Sequence, residues 1–340
     1  MTEREAFHYE MALDGEPEVT SHLHITYPVW QQFGDKLNWM EEFSEHVQVG
    51  VARSPGRAAG TRASDRWGCQ WQYPMEALDG ICVGSPIRGW SGLAACLPPD
   101  PDEFADWTSE RNRINTAHER GLVASGGTDH GFIFLRLTYL RGFDQALIDM
   151  TDERPELDEL IHIVENYWFE VARRWVEAGV DTVSFGDDLG MQHALPIHPE
   201  TWRRYIRPSY ERIFSYCRSH GVHAQLHSDG YIVDILPDLI GCGISVLNPQ
   251  DLVNGLDNLE SLARGKVHLR LDLDRQDTTV FGTPEQIDTH VHQCIAQLGS
   301  EKGGLSMIWG VYPGTPLANI EAAAKALDKY ATWWRIAPRG

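Results

Sequence analysis

Apolar and polar positions in the second half of the chain switch repeatedly between a strand period and a helix period. Val180–Phe185 (VDTVSF) is short and β-branched. It follows apolar residues at Trp168, Ala172, Trp175 and Ala178, a helical spacing closed by Gly179. After a loop from Gly186 to His198, Pro199 sits where a first helical turn accepts proline, and Trp202, Tyr205, Ile206, Ile213, Phe214 and Cys217 continue the helix to Gly221. Pro208 is expected to kink it. Strand His223–His227, helix Ile232–Ile240, strand Ile244–Leu247, helix Leu256–Ala263 and strand Val267–Leu273 follow. Thr283-Pro284-Glu285-Gln286 is a capping-box signature for a helix reaching Leu298, and strand Leu305–Trp309 precedes a second such start at Thr315-Pro316, leading into IEAAAKALDKYATWW. Five successive βα units predict a parallel sheet with helices outside it.

The first half reads less cleanly, because tryptophan, glycine and proline crowd Trp67–Pro101. Strands are expected at His22–Thr26, Gly80–Val83 and Leu122–Ser125, with a helix over Phe104–Arg120 after the proline-broken LAACLPPDPDEFAD. With no linker or low-complexity tract in view, the expected architecture is α/β: a (β/α)8 TIM barrel forming one domain over residues 1–340. An open doubly wound sheet is the competitor.

Three apolar segments each end in two polar residues spaced two apart: His227 and Asp229, Asn248 and Gln250, Asp272 and Asp274. Side chains two apart on a strand point to the same side, so each segment would present a matched pair at its C-terminal end, where parallel α/β enzymes keep their chemistry.

Charge narrows the partners. Against 29 Lys and Arg stand 49 Asp and Glu, a formal net charge of -20. A general affinity for nucleic acid or anionic membrane is therefore not expected. The cysteines lack a C-x-x-C pair, the N-terminus MTEREAFHYEMALDGEPE is charged where a secretory signal would be apolar, and no apolar run approaches the roughly 20 residues that span a bilayer. A reduced, soluble, cytoplasmic protein is expected.

Six segments carry a family resemblance: SFGDDLGMQ (Ser184–Gln192), HPETWRRYIRPSYERIF (His198–Phe214), LHSDGYIVDILPDLI (Leu226–Ile240), VLNPQD (Val246–Asp251), LDLDRQ (Leu271–Gln276) and YPGTPLANIEA (Tyr312–Ala322). Together they resemble the uroporphyrinogen decarboxylase superfamily, and within it the methyltransferase-like branch that includes corrinoid-dependent methyltransferases. MTEREAF and DRWGCQW (Asp65–Trp71) extend the likeness over nearly the whole chain. The resemblance implies a (β/α)8 barrel with a deep pocket at its strand C-termini. True decarboxylases carry an arginine-rich N-terminal segment, whereas His24–Trp39 here (HITYPVWQQFGDKLNW) holds no arginine. Such a chain is a poor receptor for an octacarboxylate. The zinc-dependent methyltransferases of the superfamily carry H-x-C and a later cysteine; here His227 stands at the first position, Asp229 at the second and Trp309 at the third. A metal held by His227 and Asp229 would therefore meet one nitrogen and carboxylate oxygen, a donor set open to zinc, manganese or iron.

Each candidate also has a structural reading. His227 could serve only to bond neighbouring backbone, but Asp229 shares its face and Gly230 would let backbone approach a ligand. Asp187 and Asp188 are adjacent, so on a strand they would point oppositely; Asp187 is expected as general base, acid or ligand, while the other caps the next segment or touches substrate. Asn248 and Gln250 are either turn formers or neutral groups for substrate. Asp272 and Asp274, beside Arg275 and Gln276, suit substrate binding or an internal ion pair. Trp309 and Tyr312 would form a flat wall for an aromatic or alkyl substrate, unless they are core. Gly126, Gly127 and Gly131 around Asp129 and His130 resemble a pocket loop but not a nucleotide fingerprint.

The leading expectation is an enzyme that demethylates a methoxylated or methylated small molecule, with Asp187, His227 and Asp229 as catalytic groups. Asp188, Asn248, Gln250, Asp272, Gln276, Trp309 and Tyr312 would orient the substrate. A corrinoid would ride on a partner protein, since the chain shows no cobalamin-binding segment. Cofactor-free decarboxylation of a smaller carboxylate is the second expectation, a non-catalytic small-molecule-binding barrel the third. Whether the chain forms a homodimer is left open.

Overall fold

The computed structural model describes residues 1–54, 56–76 and 78–336. Eleven strands are present among them: β1 (Ser21–Ile25), β2 (Val47–Val51), β3 (Thr61–Ser64), β4 (Gln70–Tyr73), β5 (Ile81–Gly84), β6 (Ser125–Gly127), β7 (Thr182–Gly186), β8 (His223–Ser228), β9 (Val246–Pro249), β10 (His268–Asp272) and β11 (Leu305–Val311). Eight of them form one sheet in the order β2-β1-β11-β10-β9-β8-β7-β6, and β3-β4-β5 form a small separate sheet. Read from β6, the large sheet runs in sequence order to β11 and then returns to β1 and β2. That cyclic order, with parallel pairing at each described ladder and helices between strands, is the (β/α)8 class.

Contacts group the residues into two compact units. The first comprises Met1–His8, Arg62–Gln72 and Ile81–Leu247. Its longest helix, Pro155–Ala178, starts with proline in the first turn and ends at Gly179 in the left-handed conformation. Leu157, Leu160, Ile161, Val164, Trp168, Val171, Ala172 and Trp175 form its buried face, at the spacing that brings successive turns onto one stripe. The kink expected at Pro208 appears as a break at Ile206 between helices Pro199–Tyr205 and Arg207–Ser219, because proline cannot supply the amide that would carry the first helix onward.

The second unit comprises Tyr9–Thr61, Tyr73–Gly80 and Asn248–Gly340. The capping box at Thr283 and Gln286 is present and opens helix Pro284–Leu298. The second proline start differs: Pro316 is itself the cap of helix Leu317–Tyr330, and no side chain bonds the first amides.

Two further expectations shift. Gly80–Val83 becomes β5, but in the small antiparallel sheet rather than the barrel. The third barrel strand is β6, three residues beginning where Leu122–Ser125 was expected to end. Gly126 explains its glycines, since a Cβ there would lie 2.4 Å from the ring of Trp175. Among the described residues no helix is long and apolar enough to cross a membrane.

Candidate active site

In the first unit, β7 and β8 run parallel in register from Thr182 opposite His223 to Gly186 opposite His227. The amide of Asp187 then donates to the carbonyl of His227, so the two chains leave the sheet side by side. Beyond them the loops touch backbone to backbone. Tyr231 donates its amide to Met191, and a Cβ at Gly190 or Gly230 would lie 2.3 or 2.2 Å from the facing main chain. Only glycine fits either place, and Gly230 also has φ +82. Gly230 thus admits the other loop's backbone rather than a ligand's approach.

This clamp fixes Asp188 against Asp229: the Asp229 amide donates to Asp188 Oδ1 at 3.0 Å. His227 Nε2 lies 3.4 Å from Asp229 Oδ1 and 3.8 Å from Asp188 Oδ1. Asp188, His227 and Asp229 can each turn one donor atom to a common point, with all three atoms within 4.8 Å of one another. Their side chains are 28%, 25% and 39% exposed, so the cluster is reachable yet held.

His130 completes the group. It stands in the glycine-rich loop after β6, with Nε2 3.3 Å from Asp188 Oδ2. That hydrogen bond to Asp188 holds the His130 imidazole above its usual range, so it keeps its proton more tightly. Burial pushes the Asp188 carboxyl upward, but the His130 bond and charge, the Asp229 amide and His227 outweigh it, leaving Asp188 below the ordinary carboxylate value. The sequence reading placed His130 in a pocket loop without giving it a role; the available signal was its position three residues after that loop's glycine pair, Gly126 and Gly127.

Asp187 is a correction. It is fully buried, and its carboxylate accepts the amides of Ile133, Phe134 and Leu135 at 3.0, 2.7 and 2.7 Å and the Tyr210 hydroxyl at 2.7 Å. Burial raises its pKa against those four donors. Asp187 is therefore the cap of helix Phe134–Arg141, sealed from any reactant, and of the two adjacent carboxylates it is Asp188 that faces His227 and His130.

A family model described as uroporphyrinogen decarboxylase (URO-D) matches residues 123–330, which holds all four residues of the cluster. The chain belongs to the URO-D family. A uroporphyrinogen decarboxylase from Synechococcus sp. (strain CC9605) is 23% identical over 256 residues, covering 72% of this chain and 69% of the relative. Methylcobamide:CoM methyltransferase MtaA from Methanosarcina barkeri is 24% identical over 162 residues, covering 47% of this chain and 44% of its own length. Among solved structures, a methyltransferase from Methanosarcina mazei superposes with a TM-score of 0.65 at 17% identity, over 96% of this chain and 98% of that one. The family thus contains both methyltransferases and decarboxylases, and the shared fold fits either.

The remaining candidates of this URO-D chain lie in its second unit, where most are occupied by the protein itself. Asn248 is buried and donates to the Arg270 carbonyl. The backbone of Gln250 forms an isolated parallel bridge with that of Asp272. Asp272 is 3.2 Å from Arg275, the ion-pair alternative, and Arg275 also donates to the Tyr312 hydroxyl at 3.3 Å. Asp274 accepts the amides of Gln276, Asp277 and Thr279, closing the turn into helix Thr278–Phe281. Gln276 contributes backbone to that turn and its side chain is exposed.

Trp309 is the second correction. It is 1% exposed, and its indole N–H donates to the Asp274 carbonyl at 3.1 Å, so it is core and offers no wall to a substrate. Tyr312 is half-buried, its phenol pK raised by burial first.

Proposed function

We propose that this chain is a methyltransferase-type enzyme that takes a methyl group from a small methylated or methoxylated compound, using the cluster His130, Asp188, His227 and Asp229. The observation that carries the reading is the convergence of Asp188, His227 and Asp229 on one accessible point. The donor set suits a divalent cation: one imidazole and two carboxylates, with His227 Nε2 and Asp229 Oδ1 3.4 Å apart. Ligand atoms at bond lengths of about 2.1 Å around a tetrahedral centre lie roughly 3.4 Å from each other. The oxygen-rich set replaces the thiolates of the zinc-dependent relatives, which favours zinc, manganese or iron over softer ions.

Asp188, His227 and Asp229 would hold such a cation, which when bound supplies Lewis-acid activation of the substrate's heteroatom. The residues themselves do the positioning. The glycine clamp keeps the Asp188 and Asp229 carboxylates at fixed spacing. His130, hydrogen-bonded to Asp188, could deliver a proton to the leaving heteroatom as the methyl departs. The Methanosarcina barkeri relative is named for moving a methyl group from methylcobamide to CoM; by analogy, and in the opposite direction, a corrinoid on a separate protein would be the methyl acceptor here.

The URO-D relatives support a second reading, decarboxylation of a small carboxylate without a cofactor. The observation favouring it is the same His130 and Asp188 pair, because an imidazole held by a carboxylate can act as the acid that protonates the carbon losing carbon dioxide. One experiment separates the two. Purified protein is assayed for divalent metal and for methyl transfer from methoxylated aromatics to free cob(I)alamin, before and after chelation. Methyl transfer lost on chelation and restored by metal supports the first reading; chelator-insensitive carbon dioxide release from a carboxylate substrate contradicts it.

A further inference from the structure

A second cluster of metal-ligating side chains lies in the second unit, where it takes no part in the proposed reaction. His290 and Cys294 are four apart on helix Pro284–Leu298, so both project from one face, and Asp251, which follows β9, meets them. His290 Nε2 is 2.7 Å from Asp251 Oδ2, while Cys294 Sγ is 3.8 Å from His290 Nε2 and 4.0 Å from Asp251 Oδ2. All three residues are buried, yet His290 also lines an open cavity whose wall includes Asp277, Glu285 and Gln286. A cation thus has a route in, past two carboxylates of opposite sign to it.

We propose that Asp251, His290 and Cys294 form a site for a borderline divalent cation, with zinc as the native class. An imidazole, a thiolate and a carboxylate are the three donor types that zinc accepts together, and their mixture excludes magnesium and calcium, which take oxygen alone. In a tetrahedral zinc site the sulfur would lie about 3.5 Å from the other donors, and nitrogen and oxygen about 3.3 Å from each other. The two sulfur distances are already near that value. The one short distance, 2.7 Å from His290 to Asp251, is the span of a shared proton. A cation entering there takes the place of that hydrogen bond and of the thiol proton, so metal binding releases protons.

The same burial rules out a nucleophile. It pushes the Cys294 thiol far above its ordinary value, so without a cation the sulfur stays protonated and inert.

The inference does not rest on the proposed function, and its test separates the two clusters. Metal-stripped full-length chain is titrated with cobalt(II) and followed in the near ultraviolet, where only a thiolate ligand gives charge-transfer absorption. The unmodified chain and Asp229→Asn should both develop the band at one cobalt per chain, and Cys294→Ser should lose it. No band in the unmodified chain, or a band that survives Cys294→Ser, overturns the site. Should Cys294→Ser fail to fold, X-ray absorption of the unmodified chain loaded with two equivalents of zinc decides. Averaged over the two sites, about half a sulfur neighbour per zinc at about 2.3 Å is expected, and a shell of nitrogen and oxygen alone overturns it.

Discussion

The strand ends of the first unit and those of the second begin from the same sequence pattern and finish differently. Beyond β7 and β8, His227, Asp229 and Asp188 keep partly open side chains that converge on a point. Beyond β9 and β10, the side chains of Asn248, Asp272 and Asp274 are engaged by a backbone carbonyl, an arginine and three amides. A polar pair at a strand end suits chemistry where its side chains stay partly exposed and converge, and not where they close the following turn. After β8 the Gly190 and Gly230 contact brings the two loops together, and the Asp229 amide donating to Asp188 Oδ1 sets the two carboxylates side by side. After β10 no such clamp forms, and the turn recruits the Asp274 carboxylate to close itself.

That contrast sets the expected mutational effects. His227→Ala should lower turnover about 1,000-fold while stability moves by only about 0.5 kcal/mol, measured by steady-state kinetics beside urea unfolding; a comparable loss of stability would break the contrast. Asp187→Ala should do the opposite in origin. It strands three buried amides and the Tyr210 hydroxyl and should cost about 3 kcal/mol or more of folding free energy, visible as a lower urea midpoint. Asp274→Ala removes a turn cap and should cost about 2 kcal/mol, with turnover per folded molecule unchanged. Trp309→Phe, which removes one buried N–H and its bond to Asp274, should cost about 1 kcal/mol and leave the KM for any substrate alone.

The smallest effect concerns strand beginnings. Burial first, then the neighbouring His8, holds His223 down to about 4 from 6.5. Burial likewise holds His268 to about 3. Between those values and 6.5 the unfolded chain binds more protons than the folded one, so stability should fall as pH drops from about 6.5 toward 4. His223→Asn should flatten that slope in urea titrations at a series of pH values, and an unchanged slope would count against the assignment.

How much was readable in advance follows the same physics. The helices of the second half and most barrel strands showed in periodicity, because a long element must turn one face inward, as in the Trp168–Ala178 part of Pro155–Ala178, whereas helices such as Glu3–Met11 and Phe134–Arg141 were not read. Val47–Val51 escaped notice, since VQVGV carries a glycine and buries only Val47. The shared direction of His227 and Asp229 followed from their spacing alone. The exchange between Asp187 and Asp188 could not, because it depends on amides of Ile133 to Leu135 more than fifty positions away in sequence. Trp309 likewise reads as wall or core until the Asp274 carbonyl is placed beside its ring nitrogen.

The central claim is that Asp188, His227 and Asp229 act together on one bound cation, and manganese(II) tests it most directly because it favours oxygen and nitrogen donors over the thiolate of Cys294. Electron paramagnetic resonance titration of metal-stripped protein should show one manganese bound per chain, lost in both His227→Ala and Asp229→Asn and retained in Cys294→Ser. Manganese binding of equal strength in the unmodified, His227→Ala and Asp229→Asn chains, or none in the unmodified chain, would contradict it.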